Sequence, residues 1–231
     1  MNRKLLLLHG ALGSKEQFGN LKEKLSTQFE IYDLDFEGHG KNESGKDFTI
    51  DLFTENVIEF LKENQIEKVN IFGYSMGGYV GLNLARKSPG LVEKIITLGT
   101  KFNWTKESAE KEIKMLNPEK IEEKVPAFAN MLASTHGSNN WKKVVIKTAQ
   151  MMFELGDGKK IAPKELEQIE HEVLIGIGSK DKMVSIEESE ESANILPNGK
   201  LEIIEDFQHP IEKINNDKLT AIIVRFLKKQ D

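Results

Sequence analysis

The strongest structural signal in this chain is the stretch Val69-Asn70-Ile71-Phe72-Gly73-Tyr74-Ser75-Met76-Gly77-Gly78. Its first four residues are mostly apolar, which is typical of a buried strand. A helical pattern begins near Met76 and ends at Ser88-Pro89-Gly90, because the residue before a proline is disfavoured in the helical region. Ser75 therefore lies at the apex of a tight turn between a strand and a helix. This arrangement predicts a nucleophile elbow, a strained turn that presents a serine hydroxyl.

The helix after Ser75 supports this interpretation. Gly77, Gly81 and Ala85 recur at every fourth position, so one face of the helix is nearly bare. Each glycine costs about 1 kcal/mol relative to alanine inside a helix, and close packing against the sheet would explain why they are there. The alternative is a plain strand–helix turn in which Ser75 is an N-cap.

Short apolar runs alternate with longer helical patterns on both sides of this turn, which is typical of a parallel sheet covered by helices on both faces. The predicted strands are Lys4–Leu8, Glu30–Asp35, Val69–Tyr74, Lys94–Leu98, Val173–Ile177 and Leu201–Glu205. The other predicted core helices are Lys15–Gln28, a helix around Phe53–Leu61 capped by Thr49 or Asp51, and Asn216–Lys229. We expect an α/β fold with a six-stranded, wholly parallel sheet whose edges are the second and sixth strands.

The alternation breaks between Lys101 and Glu165, where the chain is rich in Lys and Glu and has no obvious strand. Three or four helices are expected there, and a helical insertion between two parallel strands suggests a cap over one end of the sheet. The alternative is a helical excursion whose Met and aromatic residues form their own small core. The predicted domains are a core of residues 1–100 and 166–231 and a helical cap of residues 101–165.

Composition narrows the chemistry. The 231 residues include no cysteine, which excludes disulfides, a thiolate nucleophile, iron–sulfur clusters and Cys-containing zinc sites. The net charge of −5 argues against a nucleic-acid partner. No stretch approaches the roughly 18 apolar residues of a membrane helix, and the run Leu5–Leu8 is shorter than the roughly 7–15 apolar residues of a signal peptide. We expect a cytoplasmic monomer or small homo-oligomer without a membrane partner.

A serine hydroxyl needs a base to become a nucleophile. Of the five histidines, His209 follows the last predicted strand and leaves the sheet at the same carboxyl edge as Ser75. Ligands of open α/β sheets bind at that edge, which makes His209 the candidate base. The other four lie before the elbow, in the insertion or at the opposite edge: His9, His39, His136 and His171.

The acid that orients the base should leave the same edge. Asp181 does so after the fifth strand, although it could instead be an Asx-turn residue. An oxyanion hole needs two backbone donors, and the candidates are the N–H groups of Met76 and of Ala11 in the glycine-containing loop after the first strand. That loop lacks the G-x-G-x-x-G spacing of a dinucleotide site, and an ordinary glycine turn is its alternative interpretation.

Taken in the order Ser75, Asp181, His209, these components resemble the α/β-hydrolase superfamily, specifically its small, capped esterase- and thioesterase-like members. The segment Leu5–Ser14 resembles the oxyanion loop of that superfamily, and Asp35-Phe36-Glu37-Gly38-His39-Gly40 resembles its D-x-x-G-x-G loop. The resemblance implies an acyl-enzyme on Ser75 that is hydrolysed by water activated by His209, with no cofactor and no metal ion. Because the oxyanion loop already begins at His9, we expect a sheet without the antiparallel strands that often precede the first core strand in this superfamily.

The same resemblance implies a reaction class. Dehalogenases and epoxide hydrolases of this superfamily carry aspartate at the elbow, so Ser75 favours cleavage of a small carboxylic ester or thioester. A carbon–carbon bond hydrolase, a menaquinone-pathway-type lyase or synthase, and a non-catalytic ligand-binding member remain alternatives. The apolar side chains expected to line a substrate pocket are Leu12, Met76, Phe102, Trp104, Phe128, Met183 and Phe207.

Overall fold

A computed structural model describes residues 3–228, and a six-stranded sheet forms its centre. The strands are β1 (Arg3–Leu8), β2 (Phe29–Asp33), β3 (Val69–Tyr74), β4 (Val92–Leu98), β5 (Glu172–Gly178) and β6 (Gly199–Ile204). All neighbouring pairs are parallel, in the order β2-β1-β3-β4-β5-β6. The predicted all-parallel α/β sheet and its two edges are confirmed, although β2 ends at Asp33 rather than at Asp35.

The inner strands are mostly apolar because helices cover both of their sides, with charged residues only toward their amino ends. Every residue of β3 is buried, and β3 pairs with β1 from Leu5↔Asn70 to Leu8↔Gly73. The edge strand β6 has only one fully buried residue, Ile204. Strand limits are therefore clearest in the sequence where the strand lies inside the sheet.

Ten α-helices lie between and after the strands within the described residues. They are α1 (Gly19–Ser26), α2 (Ile50–Glu63), α3 (Met76–Lys87), α4 (Lys106–Ile113), α5 (Pro118–Lys124), α6 (Pro126–His136), α7 (Trp141–Glu154), α8 (Pro163–Leu166), α9 (Ile186–Ile195) and α10 (Asn216–Lys228). The predicted helix over Lys15–Gln28 is wrong in its first turn, where Lys15–Phe18 forms a 3-10 turn before α1. Thr49 caps α2, because its hydroxyl accepts from the N–H of Leu52. The predicted end of the last helix, Lys229, lies outside the described residues.

The helices divide between the two faces of the sheet. Alternate residues of β1 point to opposite faces, so Leu6 and Leu8 pack with α2 and α3 while Leu5 and Leu7 pack with α1 and α10. Helix α9 covers the first face, beside β5 and β6. The predicted helices on both faces are confirmed.

The segment between β4 and β5 forms five helices, α4–α8, rather than the three or four predicted. Asn117 and Pro118 start one of them and Pro126 another, so the chain is interrupted more often than its apolar pattern indicates. Part of the segment forms its own small cluster around Leu132 and Trp141. No helix within residues 3–228 is long and apolar enough to cross a membrane.

Candidate active site

Ser75 lies on a strained turn between β3 and α3. Its φ of 50° and ψ of −116° fall in a region that side-chain-bearing residues rarely occupy. The turn is held by a hydrogen bond from the Ser75 N–H to the Leu98 carbonyl and by one from the Thr100 hydroxyl to the Ser75 carbonyl, both 2.8 Å long. A Cβ on Gly73 would lie 2.4 Å from the Cα of Gly78, so the turn closes only with glycine there.

The helix after Ser75 packs directly on the sheet. A Cβ on Gly77 would lie 2.0 Å from the carbonyl oxygen of Leu8, and one on Gly81 would lie 3.0 Å from a methyl group of Ile71. The bare helix face predicted from the sequence is therefore the face in contact with β1 and β3. This contact brings the N-terminus of α3 next to the end of β1 and the loop that follows it.

His209 connects Ser75 with Asp181 at the carboxyl edge of the sheet. Its Nε2 is 3.4 Å from Ser75 Oγ, and its Nδ1 is 2.8 Å from Asp181 Oδ2. The hydroxyl of Tyr74 donates to the His209 carbonyl over 2.8 Å, which fixes the backbone of that loop. A proton on Nδ1, donated to the carboxylate, leaves Nε2 free to accept from a serine hydroxyl.

Asp181 is held as an anion. Burial alone would raise the pKa of its carboxyl group, but the hydrogen bond from His209 and two backbone donors outweigh burial and lower the pKa below its usual value. The backbone donors are the N–H groups of Met183 at 2.8 Å and Val184 at 3.0 Å, both to Oδ1. Each carboxylate oxygen therefore has a donor, and the acid can hold the imidazole in a single orientation.

Two residues with backbone N–H groups unpaired among the described residues line the same cavity as Ser75. Ala11 and Met76 both line it, and neither backbone N–H has a hydrogen-bond acceptor in the part of the chain that the structure describes. The loop of Ala11 comes so close to the elbow that a Cβ on Gly10 would lie 2.7 Å from the Tyr74 ring. Glycine at this position therefore permits the approach. Two unpaired donors beside a serine hydroxyl are the elements from which an oxyanion hole is built.

The loop after β1 is also fixed from the insertion. His136, at the end of α6, has its Nε2 2.9 Å from the carbonyl oxygen of Leu12, and its Nδ1 accepts from the N–H of Gly40 over 3.1 Å. Leu12 has a positive φ of 59°, so this bond braces a strained backbone. This role of His136 was not predicted, because no pattern in the sequence indicates that α6 ends over this loop.

Three histidines form a buried cluster beneath that loop. The ring centroids of His9 and His39 are 5.1 Å apart, and those of His39 and His136 are 5.7 Å apart. Burial lowers the pKa of all three, in the case of His9 to about 4, so the cluster is neutral at pH 7. Of the five histidines in the sequence, only His209 contacts Ser75.

A small cavity of about 50 Å³ opens beside Ser75 and His209. The predicted pocket residues Met76, Trp104 and Met183 line it. Leu12, Phe102, Phe128 and Phe207 do not. The ring of Phe207 is 2% exposed and belongs to the cluster on the opposite face of the sheet.

The other three residues that were predicted to line the cavity, Leu12, Phe102 and Phe128, pack elsewhere. Phe102 lies behind Tyr79, with 6.4 Å between the ring centroids, and its N–H donates to Glu188. Leu12 and Phe128 pack on the small cluster of the insertion. Proximity to the site along the chain does not settle which way a side chain points.

Sequence reasoning missed most of the cavity wall. The unpredicted lining residues are Ile50, Tyr79, Lys101, Glu112, Met151, Met152, Leu155 and Val184. Only Lys101 gave a usable signal, since it follows β4 at the same edge as Ser75. Within residues 3–228 no group of three or more His, Asp or Glu side chains could hold a metal ion.

Comparison with known proteins identifies the family. The alpha/beta hydrolase fold family matches residues 4–140, more than half of the chain. The chain belongs to the α/β-hydrolase family. An α/β-hydrolase enzyme, MGS-M2 from a Medee basin deep-sea metagenome library, superposes with a TM-score of 0.84, covering 100% of this chain and 90% of that one at 16% identity.

Curated relatives of this α/β-hydrolase match over a shorter stretch. Ethanol acetyltransferase 1 of Hanseniaspora uvarum is 31% identical over 96 residues, which are 41% of this chain and 29% of that protein. The sn-1-specific diacylglycerol lipase ABHD11 of Danio rerio is 32% identical over 96 residues, 41% of this chain and 30% of that protein. The matches thus span about a third of these relatives, and they support a hydrolase-fold enzyme.

Proposed function

We propose that this chain is a cofactor-independent serine hydrolase that cleaves a small carboxylic ester or thioester through an acyl-enzyme on Ser75. The observation that carries the proposal is the continuous chain of contacts from Ser75 Oγ through His209 to Asp181, with the serine on a strained strand–helix turn. A distance of 3.4 Å between serine and base is long for a hydrogen bond, but such contacts tighten when substrate binds.

Each component has a role in the proposed reaction. His209 removes the Ser75 proton as the oxygen attacks the ester carbonyl, and the N–H groups of Met76 and Ala11 stabilise the oxyanion. Asp181 stabilises the imidazolium, which then protonates the leaving alcohol or thiol. Water activated by His209 attacks the acyl-enzyme, releases the carboxylic acid and restores Ser75.

The surroundings of Ser75 favour a small and largely apolar acyl or alcohol group. Trp104, Met151 and Leu155 supply an apolar wall, and the cavity holds about 50 Å³. The names of two relatives, an ethanol acetyltransferase and a diacylglycerol lipase, both concern ester bonds. These observations support ester or thioester cleavage more than cleavage of a carbon–carbon bond.

We also assign the insertion, residues 101–165, as the cap of this site. Helix α4 contributes Glu112 to the cavity wall, and α7 contributes Met151 and Met152. A cavity as small as this one, roofed by helices, would admit a larger substrate only when the insertion moves away from the core.

Turnover of chromogenic esters tests the proposal. Wild type should hydrolyse p-nitrophenyl acetate, butyrate or octanoate, or the matching thioesters, and Ser75→Ala and His209→Ala should each lower kcat by about 10³-fold or more. Ser26→Ala and His171→Ala are matched controls because Ser26 is exposed on α1 and His171 hydrogen-bonds the Pro89 carbonyl, at the edge of the sheet opposite Ser75. Turnover that survives both site substitutions would contradict the assignment.

A further inference from the structure

The wall of the cavity beside Ser75 contains an isolated pair of opposite charges. Lys101 follows β4 at the start of the insertion, and Glu112 lies further along it on α4. Their side chains are 16% and 13% exposed. Most of the remaining wall is apolar, including Trp104, whose ring centroid is 5.7 Å from Lys101 Nζ.

This pair is poorly satisfied. Lys101 Nζ and Glu112 Oε1 are 3.5 Å apart, and within residues 3–228 neither charged group makes a hydrogen bond. An ammonium group can donate three hydrogen bonds, and a carboxylate can accept about four. Burying two charges without these hydrogen bonds lowers the stability of the fold, and a fold with hydrophobic residues in their place would be no less stable.

A second pair in the insertion provides a contrast. Lys142 Nζ lies 2.6 Å from Glu122 Oε2, and 5.4 Å from the centre of the Trp141 ring, with both charged side chains more than a third exposed. The Lys142–Glu122 pair is at hydrogen-bond distance although it is on the surface, where such a salt bridge adds little stability. Lys101 and Glu112, in contrast, remain at 3.5 Å although a hydrogen bond between them would stabilise the protein more in this less exposed position. Their donors and acceptors are therefore available to a ligand.

We propose that Lys101 and Glu112 select substrates by the end that is remote from the ester. The preferred end carries a neutral group that both donates and accepts hydrogen bonds, and this proposal rests on the proposed function. A hydroxyl or a carboxamide accepts from Lys101 and donates to Glu112. A terminal carboxylate would be attracted by Lys101 but repelled by Glu112, and a terminal ammonium the reverse, so the two contributions largely cancel while the charged end still loses its hydration. A terminal methyl leaves both charges without hydrogen bonds.

The test uses five p-nitrophenyl esters with acyl chains of matched length that end in methyl, hydroxyl, carboxamide, carboxylate or ammonium. The readout is kcat/KM for each ester divided by that for the methyl-ended ester. In wild type the hydroxyl and carboxamide ratios should be about tenfold or more, and the two charged ends should fall below them. This comparison needs no variant, so it stands even if a substituted protein fails to fold.

Variants then assign the preference to the pair. Glu112→Gln should raise the carboxylate ratio about tenfold, and Lys101→Met should raise the ammonium ratio by a similar factor. Lys142→Met and Glu122→Gln, which change the exposed pair, should leave every ratio as in wild type.

The outcomes separate this inference from the function it rests on. Ratios near one for all ends, or no change of ratio in Glu112→Gln and Lys101→Met, overturn the role of the pair. If hydrolysis of the methyl-ended ester still requires Ser75, the proposed function stands. Hydrolysis that persists in Ser75→Ala, or none by wild type on any of the five esters, removes both.

Discussion

Acidification is expected to destabilise the fold through His9, the first residue after β1. The ring is fully buried, Nδ1 lies 2.8 Å from the Gly10 carbonyl oxygen, and Nε2 accepts from the Phe36 N–H over 3.1 Å. A second proton would remove that acceptor and place a charge in the core. Burial accordingly lowers the pKa of His9 from 6.5 to about 4.

The size of the effect follows from linkage. Because the pKa is lower in the folded state, the unfolded chain binds the additional proton between pH 6.5 and about pH 4. The free energy of unfolding then falls by about 1.4 kcal/mol per pH unit, or roughly 3 kcal/mol over that window. His39 and His136, whose pKa values burial also lowers, add losses of the same sign.

Urea denaturation at pH 7, 6, 5 and 4.5 measures this dependence. His9→Gln keeps an amide that can accept from Phe36 but does not titrate, so its unfolding free energy should fall less steeply than that of wild type. His171→Gln, at a partly exposed position beside Pro89, should retain the wild-type slope. Equal slopes in His9→Gln and wild type would refute the reasoning.

Three further outcomes follow from the contacts of the site. Asp181→Asn should lower kcat by about 10³-fold or more with little change in KM in the ester assay, because the imidazole loses its orienting anion; an unchanged kcat would contradict that role. Gly77→Ala should lower the free energy of unfolding by at least about 2 kcal/mol in urea, since its Cβ would meet the Leu8 carbonyl at 2.0 Å, whereas Gly90→Ala, with nothing within 4 Å, should cost far less. His136→Ala should lower kcat about tenfold in the same ester assay by releasing the loop of the Ala11 donor, and full activity would show that the loop holds itself.

Much of the core could be predicted from sequence because parallel strands covered on both faces leave near-continuous apolar runs. The position of Ser75, Asp181 and His209 also follows from topology, since each comes after a strand and parallel strands deliver such residues to one edge. The distances between them, such as the 2.8 Å between Asp181 Oδ2 and His209 Nδ1, could not be predicted from the sequence and are seen only in the structure.

The cavity wall could not be predicted in the same way. Its apolar members come from separate parts of the chain, such as Ile50 on α2, Met151 on α7 and Val184 before α9, and only the packing of these elements brings them together. Phe207 illustrates the error: only two residues before His209, its side chain enters the cluster on the far face of the sheet. Lys101 and Glu112 are eleven positions apart in the sequence, and only the folding of the insertion brings their charged groups within 3.5 Å.

Labelling with a fluorophosphonate probe, followed by peptide mass spectrometry, tests the central claim most directly. The probe reacts with a serine only when a base activates its hydroxyl and the oxyanion is stabilised. We expect a single phosphonylated residue, Ser75, in wild type, no label in Ser75→Ala and strongly reduced labelling in His209→Ala. Esterase activity in a wild-type protein that carries no label, or a label on another serine, would contradict the account.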